Sequence, residues 1–191
     1  MSSMKNISGG VGGLVTIALS LEDGHQWSLK EASYRKAVNE DEVPVKMKHV
    51  RNLIIGTYTD KNGVLYWQNV ANAPPINTDV MAWKFCHCLH ITLRDGHPNI
   101  IRDSQSKTGK LTEIGDHFKH LKHGYGKLIQ RYCELLVCKL KFHQRYPRFP
   151  GNMSVSPEEL ENLAENDANN YFELAVEFLE YMECILNLYE A

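Results

Sequence analysis

The first chemistry the sequence offers is anion binding. Nine residues separate Lys36 from Lys46, and Met47, Lys48 and His49 follow directly. Lys46 and His49 are three apart and share a helix face, while the flexible stem of Lys48 lets its amine reach round. Pro44 suits the first turn of a helix, and a helix start offers free backbone N–H groups and a positive dipole end. Amines and an imidazole converging on such a start suit a polyphosphate better than a single carboxylate. The competing description is a plain solvated face, because Glu40, Asp41 and Glu42 stand beside these residues and would pair with them.

Other chemistries fit less well. Cys86, His87, Cys88 and His90 are close in sequence, and His117, His120 and His123 recur every third residue. There is no Cys-x-x-Cys and no His-Glu-x-x-His, and on a helix Cys86 and Cys88 point to different sides. Neither a metal nor another cofactor is expected, and the cysteines read as small buried hydrophobes. Gly124-Tyr125-Gly126-Lys127 lacks the glycine spacing and the Ser or Thr of a P-loop. No nucleophile motif stands out, and Glu158-Glu159 belongs at a helix N-terminus as a complement to the dipole. An enzyme is not expected.

The elements that must position the basic residues read as helix after helix. Leu29 to Val38 is a short basic helix, and the next runs from Pro44 to about Tyr58. Val64 to Val70 fits helix or strand. Thr78 caps a helix that Gly96 and Pro98 end, and its apolar residues occupy every face, as in a surrounded central helix. Pro98 opens a short helix, Thr112 to Lys122 forms another, and three-four spacing continues from Tyr125 to Phe142 until Pro147. Ser156-Pro157-Glu158-Glu159 combines a capping box with a proline at the first helical position. A last helix starts near Asp167, with Phe172, Ala175, Phe178, Leu179, Met182 and Leu186 on one stripe. The expectation is an all-α domain of seven to nine helices, in a right-handed stacked array or an irregular bundle.

Length and composition bound the rest. A chain of 191 residues suits one domain, and 43% hydrophobic with 23% charged residues excludes a disordered chain. The 5 cysteines argue against a disulfide framework and for a reducing, intracellular compartment. Val11 to Leu21 is shorter than the roughly 20 residues a membrane span needs, and no clean signal-cleavage pattern follows it. Charge is divided: Phe149 to Ala191 holds ten acids and no base, whereas Lys84 to Arg148 holds 13 Lys and Arg against five acids. Such a basic stretch suits an anionic partner. Nucleic acid is not favoured, because aromatic residues are not interleaved with the basic ones.

The Lys36-x9-Lys46-x-Lys48-His49 pattern resembles the phosphoinositide-binding signature of the AP180 N-terminal homology (ANTH) domain. Trp83-Lys84-Phe85-Cys86-His87, Arg94-Asp95-Gly96-His97-Pro98-Asn99, Pro147-Arg148-Phe149-Pro150-Gly151-Asn152 and Asp167-Ala168-Asn169-Asn170 resemble one branch, the huntingtin-interacting protein 1 and Sla2-type endocytic adaptors. The resemblance runs from about Tyr34 to Leu188. It implies an ENTH/ANTH-like helical solenoid, ending here before its usual C-terminal helices, that binds phosphatidylinositol 4,5-bisphosphate or a related lipid at the cytosolic face of clathrin-coated pits. Longer members add a coiled coil for clathrin light chain and an actin-binding module.

The chain therefore divides into a flexible glycine-rich segment, 1–26, and an ANTH-like helical domain, 27–191. Lys36, Lys46, Lys48 and His49 are the expected lipid-binding residues. The expected role is a peripheral, cytoplasmic membrane-recruitment module of an endocytic adaptor. A helical scaffold for an epsin-type adaptor domain is the alternative.

Overall fold

The computed structural model describes residues 32–190. The glycine-rich segment 1–26 lies outside the described residues. Every regular element among them is helical. The first, α1, is described over residues 32–37; α2 (Met47–Asp60), α3 (Val64–Asn72) and α4 (Asp79–Asp95) follow. Then come α5 (Asn99–Ser104), a 3-10 turn (Gln105–Lys107), α6 (Thr108–Phe118), α7 (Gly126–Arg145), α8 (Pro157–Ala164) and α9 (Ala168–Glu190). The segment from Val64 is thus a helix.

Several boundaries follow local chemistry. The Thr78 hydroxyl accepts from the Met81 N–H at 3.2 Å, and the Gly96 N–H closes α4 on the Thr92 carbonyl at 2.9 Å. At α8, Ser156 Oγ accepts from the Glu159 N–H at 3.2 Å while Glu159 accepts from the Ser156 N–H at 2.7 Å. That reciprocal capping holds the Glu159 carboxyl below its ordinary pKa. Other boundaries differ from expectation. α2 begins at Met47, because the chain through Pro44 stays non-helical up to an extended Lys46. α6 occupies Thr108–Phe118 rather than Thr112 to Lys122, since the 3-10 turn feeds straight into it.

The long helices α4 and α7 pack together at the centre. α2 and α5 lie against α4, and α5, α6 and α9 against α7. One apolar core joins α1 through α7, with Tyr34, Phe85, Leu89, Ile100, Leu111, Ile129 and Leu136 almost fully buried. Edge-on aromatic contacts run from Tyr34 to Tyr66, Trp67 and Phe85, and the Trp67 indole N–H donates to Ser104 Oγ at 2.9 Å. A second, smaller core between α7 and α9 is built on Phe142 and Tyr181, with ring centroids 4.8 Å apart.

Three packing expectations change. α4 is not covered all round: Trp83 is half-buried, stacked on Tyr125 at 6.0 Å and set edge-on to Tyr132 at 5.2 Å. On α9 the core takes Leu174 and Tyr181, and the expected stripe instead faces outward, with Phe172 71% and Leu179 63% exposed. Cys138 and Cys184 form a disulfide between α7 and α9, where no disulfide framework was expected. Cys86, Cys88 and Cys133 are buried and free, as small hydrophobes should be.

Candidate functional site

The expected binding residues gather where α1 ends and α2 begins. α1 turns Ser33, Tyr34 and Ala37 into the core, so Lys36 between them is left outside. The Asn52 side-chain amide donates to Ser33 Oγ at 3.1 Å and fastens α1 to α2. Lys46 occupies the N-cap position of α2 without a side-chain cap, and Lys48 and His49 follow in the first turn. Lys36, Lys46 and Lys48 are exposed and His49 is partly buried. All four line one cavity of about 300 Å³, together with Asn39, Asp41 and Lys84.

Lys84 was not among the expected site residues. It stands on α4 and is only 4% exposed, yet its amine donates to Asn39 Oδ1 and to the Asp41 carbonyl. A buried ammonium needs such partners, and here it pins the α1–α2 connection from beneath. The sequence signal was a lone lysine amid the apolar residues of α4. The same connection is held from the side by Tyr125, whose hydroxyl donates to Glu42 Oε1 at 2.8 Å. Gly124, with φ 82°, makes the turn that brings the Tyr125 N–H to Asp79 Oδ2 at 3.1 Å.

Two of the acids on this connection have neutral donors as partners. Asp41 accepts from the Asn39 amide at 3.0 Å, and Glu42 takes the Tyr125 hydroxyl. Among the described residues no ion pair joins Lys36, Lys46 or Lys48 to a carboxylate. His49 reports the resulting field. Its pKa is pushed below the ordinary 6.5, first by partial burial and then by Lys48, Lys36 and Lys46. Three like charges acting on one imidazole make a pocket short of negative charge.

An ANTH domain profile matches residues 30–191. The chain belongs to the ANTH domain family. This ANTH domain is 43% identical over 158 residues to human Huntingtin-interacting protein 1, covering 83% of this chain and 15% of that protein. It is 30% identical over 155 residues to Endocytosis protein end4 of Schizosaccharomyces pombe, covering 80% of this chain and 14% of that one. The chain thus spans only a small part of the length of these relatives. Among solved structures it resembles the ENTH domain from epsin-2 in complex with phosphatidylinositol 4,5-bisphosphate, with TM-score 0.76 and 25% identity over 86% of this chain and 64% of that one.

Elsewhere in this ANTH domain the histidines and cysteines do not converge. His90 Nδ1 lies 3.1 Å from the Tyr132 hydroxyl, Cys86 packs on Cys133, and His117, His120 and His123 point outward, separated from both. Among the described residues no group of three or more His, Cys, Asp or Glu side chains is placed to hold a metal ion. Lys119, Lys122 and Lys127 do not line the cavity, and Lys119 is paired with Asp116 at 2.6 Å.

Proposed function

We propose that this ANTH domain is the phosphoinositide-binding, membrane-recruitment module of a clathrin-mediated endocytosis adaptor. It is a binding domain and not an enzyme. The observation that carries the reading is the single cavity shared by Lys36, Lys46, Lys48 and His49, in which the lysines have no carboxylate partner among the described residues. Amines left unpaired around a pocket are held ready for phosphate groups. The family relationship and the lipid-bound epsin-2 relative support the same ligand class, and the name of the fission-yeast relative supports the process.

Each basic residue at an anionic membrane contributes about 1 kcal/mol. The three lysines give about 3 kcal/mol, which corresponds to a dissociation constant on the order of 10 mM. Stable recruitment therefore needs several copies or a second partner on the same membrane, and an epsin-type domain that reads the same lipid would serve. The site of action is the cytosolic face of the plasma membrane at coated pits. No helix among the described residues is long and apolar enough to cross a membrane, so attachment through these residues is peripheral. Links to clathrin light chain and F-actin belong to other parts of such an adaptor.

Co-sedimentation with liposomes containing phosphatidylinositol 4,5-bisphosphate tests the reading. Replacing Lys36, Lys46 and Lys48 together by Ala should abolish binding and leave the melting curve nearly unchanged. The same replacement of Lys119, Lys122 and Lys127 should cause a partial loss only. Equal losses from the two triple variants would reduce the site to a diffuse basic face.

A further inference from the structure

The two loop motifs that the lipid site leaves unused meet at the opposite end of α2. Residues of both motifs, Arg94 and Asn99 from one and Phe149 and Gly151 from the other among them, line a cavity of about 550 Å³, closed by Tyr58, Ile101 and Arg102 and floored by His143 of α7. The loop holding Pro150 is fixed: Lys139 donates to the Gly151 carbonyl at 2.7 Å, and Gly151 lies so close to the Leu93 carbonyl that a Cβ there would clash. This is a built depression between anchored segments, not a gap between mobile ones.

Its chemistry is incomplete. His143 is 2% exposed, and neither ring nitrogen has a hydrogen-bond partner. A neutral imidazole carries one N–H donor and one acceptor, so the floor of the cavity has an unmet capacity of each kind. Arg94 uses Nε and one terminal nitrogen on Asp95, at 2.8 and 2.7 Å, which leaves its other N–H groups free. Arg102 is 70% exposed and only 3.6 Å from Asp103. Among the described residues no carboxylate lines the cavity, whereas Tyr58, Ile101, Phe149 and the prolines give it apolar walls.

From these observations we propose a second binding site, for a short acidic peptide segment whose carboxylates meet Arg94 and Arg102 and whose apolar side chain fills the space over His143 and Phe149. Mixed apolar and cationic walls suit alternating apolar and acidic side chains better than a phosphorylated sugar ring, which has no apolar group to offer. The site is independent of the lipid cavity. Tyr58 is twelve positions along the chain from Lys46, about 18 Å at the helical rise of about 1.5 Å per residue, so one molecule can hold both ligands.

Fluorescence anisotropy of the complete 191-residue chain with a panel of labelled pentapeptides, each combining two Glu with Leu or Phe, is the test. At least one peptide should bind in the micromolar range. Its affinity should fall tenfold or more when its Glu residues become Gln, and likewise in an Arg94→Gln/Arg102→Gln variant. The Lys36, Lys46 and Lys48 triple variant should keep peptide binding, and the arginine variant should keep liposome binding. Ring resonances of His143 should shift on peptide addition. Should the double variant melt early, Arg102→Gln alone serves, since Arg102 lies on the surface. Absence of binding by the whole panel overturns the proposal, and so does peptide binding that follows the lysine variant. Loss of liposome binding in the arginine variant would make the cavity a second lipid contact, which also overturns it.

Discussion

His49 works as a gauge of its own site. Burial and the neighbouring lysines hold it below its ordinary pKa, so it is neutral at pH 7 in the free domain. Bound phosphate would offset the lysine repulsion, raise that pKa and draw in a proton. Affinity for phosphoinositide liposomes should therefore rise as pH falls through about 6.5, by at most about tenfold per unit for one proton. Phosphate groups lose charge over the same range, which opposes the gain. The decisive quantity is the difference from His49→Gln, measured by co-sedimentation between pH 7.5 and 5.5. If the two pH profiles coincide, His49 is not in contact with the ligand. Lys84 acts differently, by holding Asn39 and the Asp41 carbonyl. Lys84→Met should cost about 1–3 kcal/mol of stability by leaving those acceptors unmet, and should weaken lipid binding less than the lysine triple variant does.

At the scale of elements, the caps are separate from the site and testable alone. Ser156→Ala removes the acceptor for the Glu159 N–H at the start of α8. It should cost about 1 kcal/mol, or about 2–4 °C in Tm for a domain of this size, with liposome binding intact. A larger fall would mean that α8 supports more than its own packing on α9. α9 makes the opposite prediction. Leu179 is 63% exposed, so Leu179→Glu should leave Tm nearly unchanged and suppress any self-association seen by sedimentation at high concentration. These elements also show where sequence is informative. Thr78, Gly96 and Ser156 act on their immediate neighbours, so the ends of α4 and the start of α8 were legible. The start of α2 was not, because Lys84 and Tyr125, far along the chain, fix the residues before it. The buried face of α9 was hidden for another reason. That helix is apolar on more than one side, and spacing cannot choose between Leu174 with Tyr181 and Phe172 with Leu179.

For the whole molecule, the lipid site was legible as a pattern of charges, while its support was not. Lysines at the surface keep their spacing visible in sequence, whereas the acids beside them suggested a pairing that is not formed among the described residues, where Asp41 and Glu42 take an amide and a hydroxyl instead. Sensitivity to acid joins the site to the fold. His90 and His143 are held at about 4, in each case chiefly by burial and then by the charge of Lys139. Their unfolded-state values are near 6.5, so between about 6.5 and 4 the unfolded chain binds more protons than the folded one. Folding stability therefore stands at its full value above pH 6.5 and is lost progressively as pH falls towards 4. Thermal unfolding should show Tm nearly constant from pH 8 to 7 and falling steadily from pH 6 to 4.5. A flat profile would mean that neither imidazole is buried neutral. Since protonation of His49 strengthens lipid binding over part of the same range, the two effects oppose each other. Liposome binding should pass through a maximum just below neutrality, and its acid limb should coincide with the loss of helical signal in circular dichroism. An acid limb that appears while the helix signal is intact would place the loss at the lipid headgroup instead of the fold.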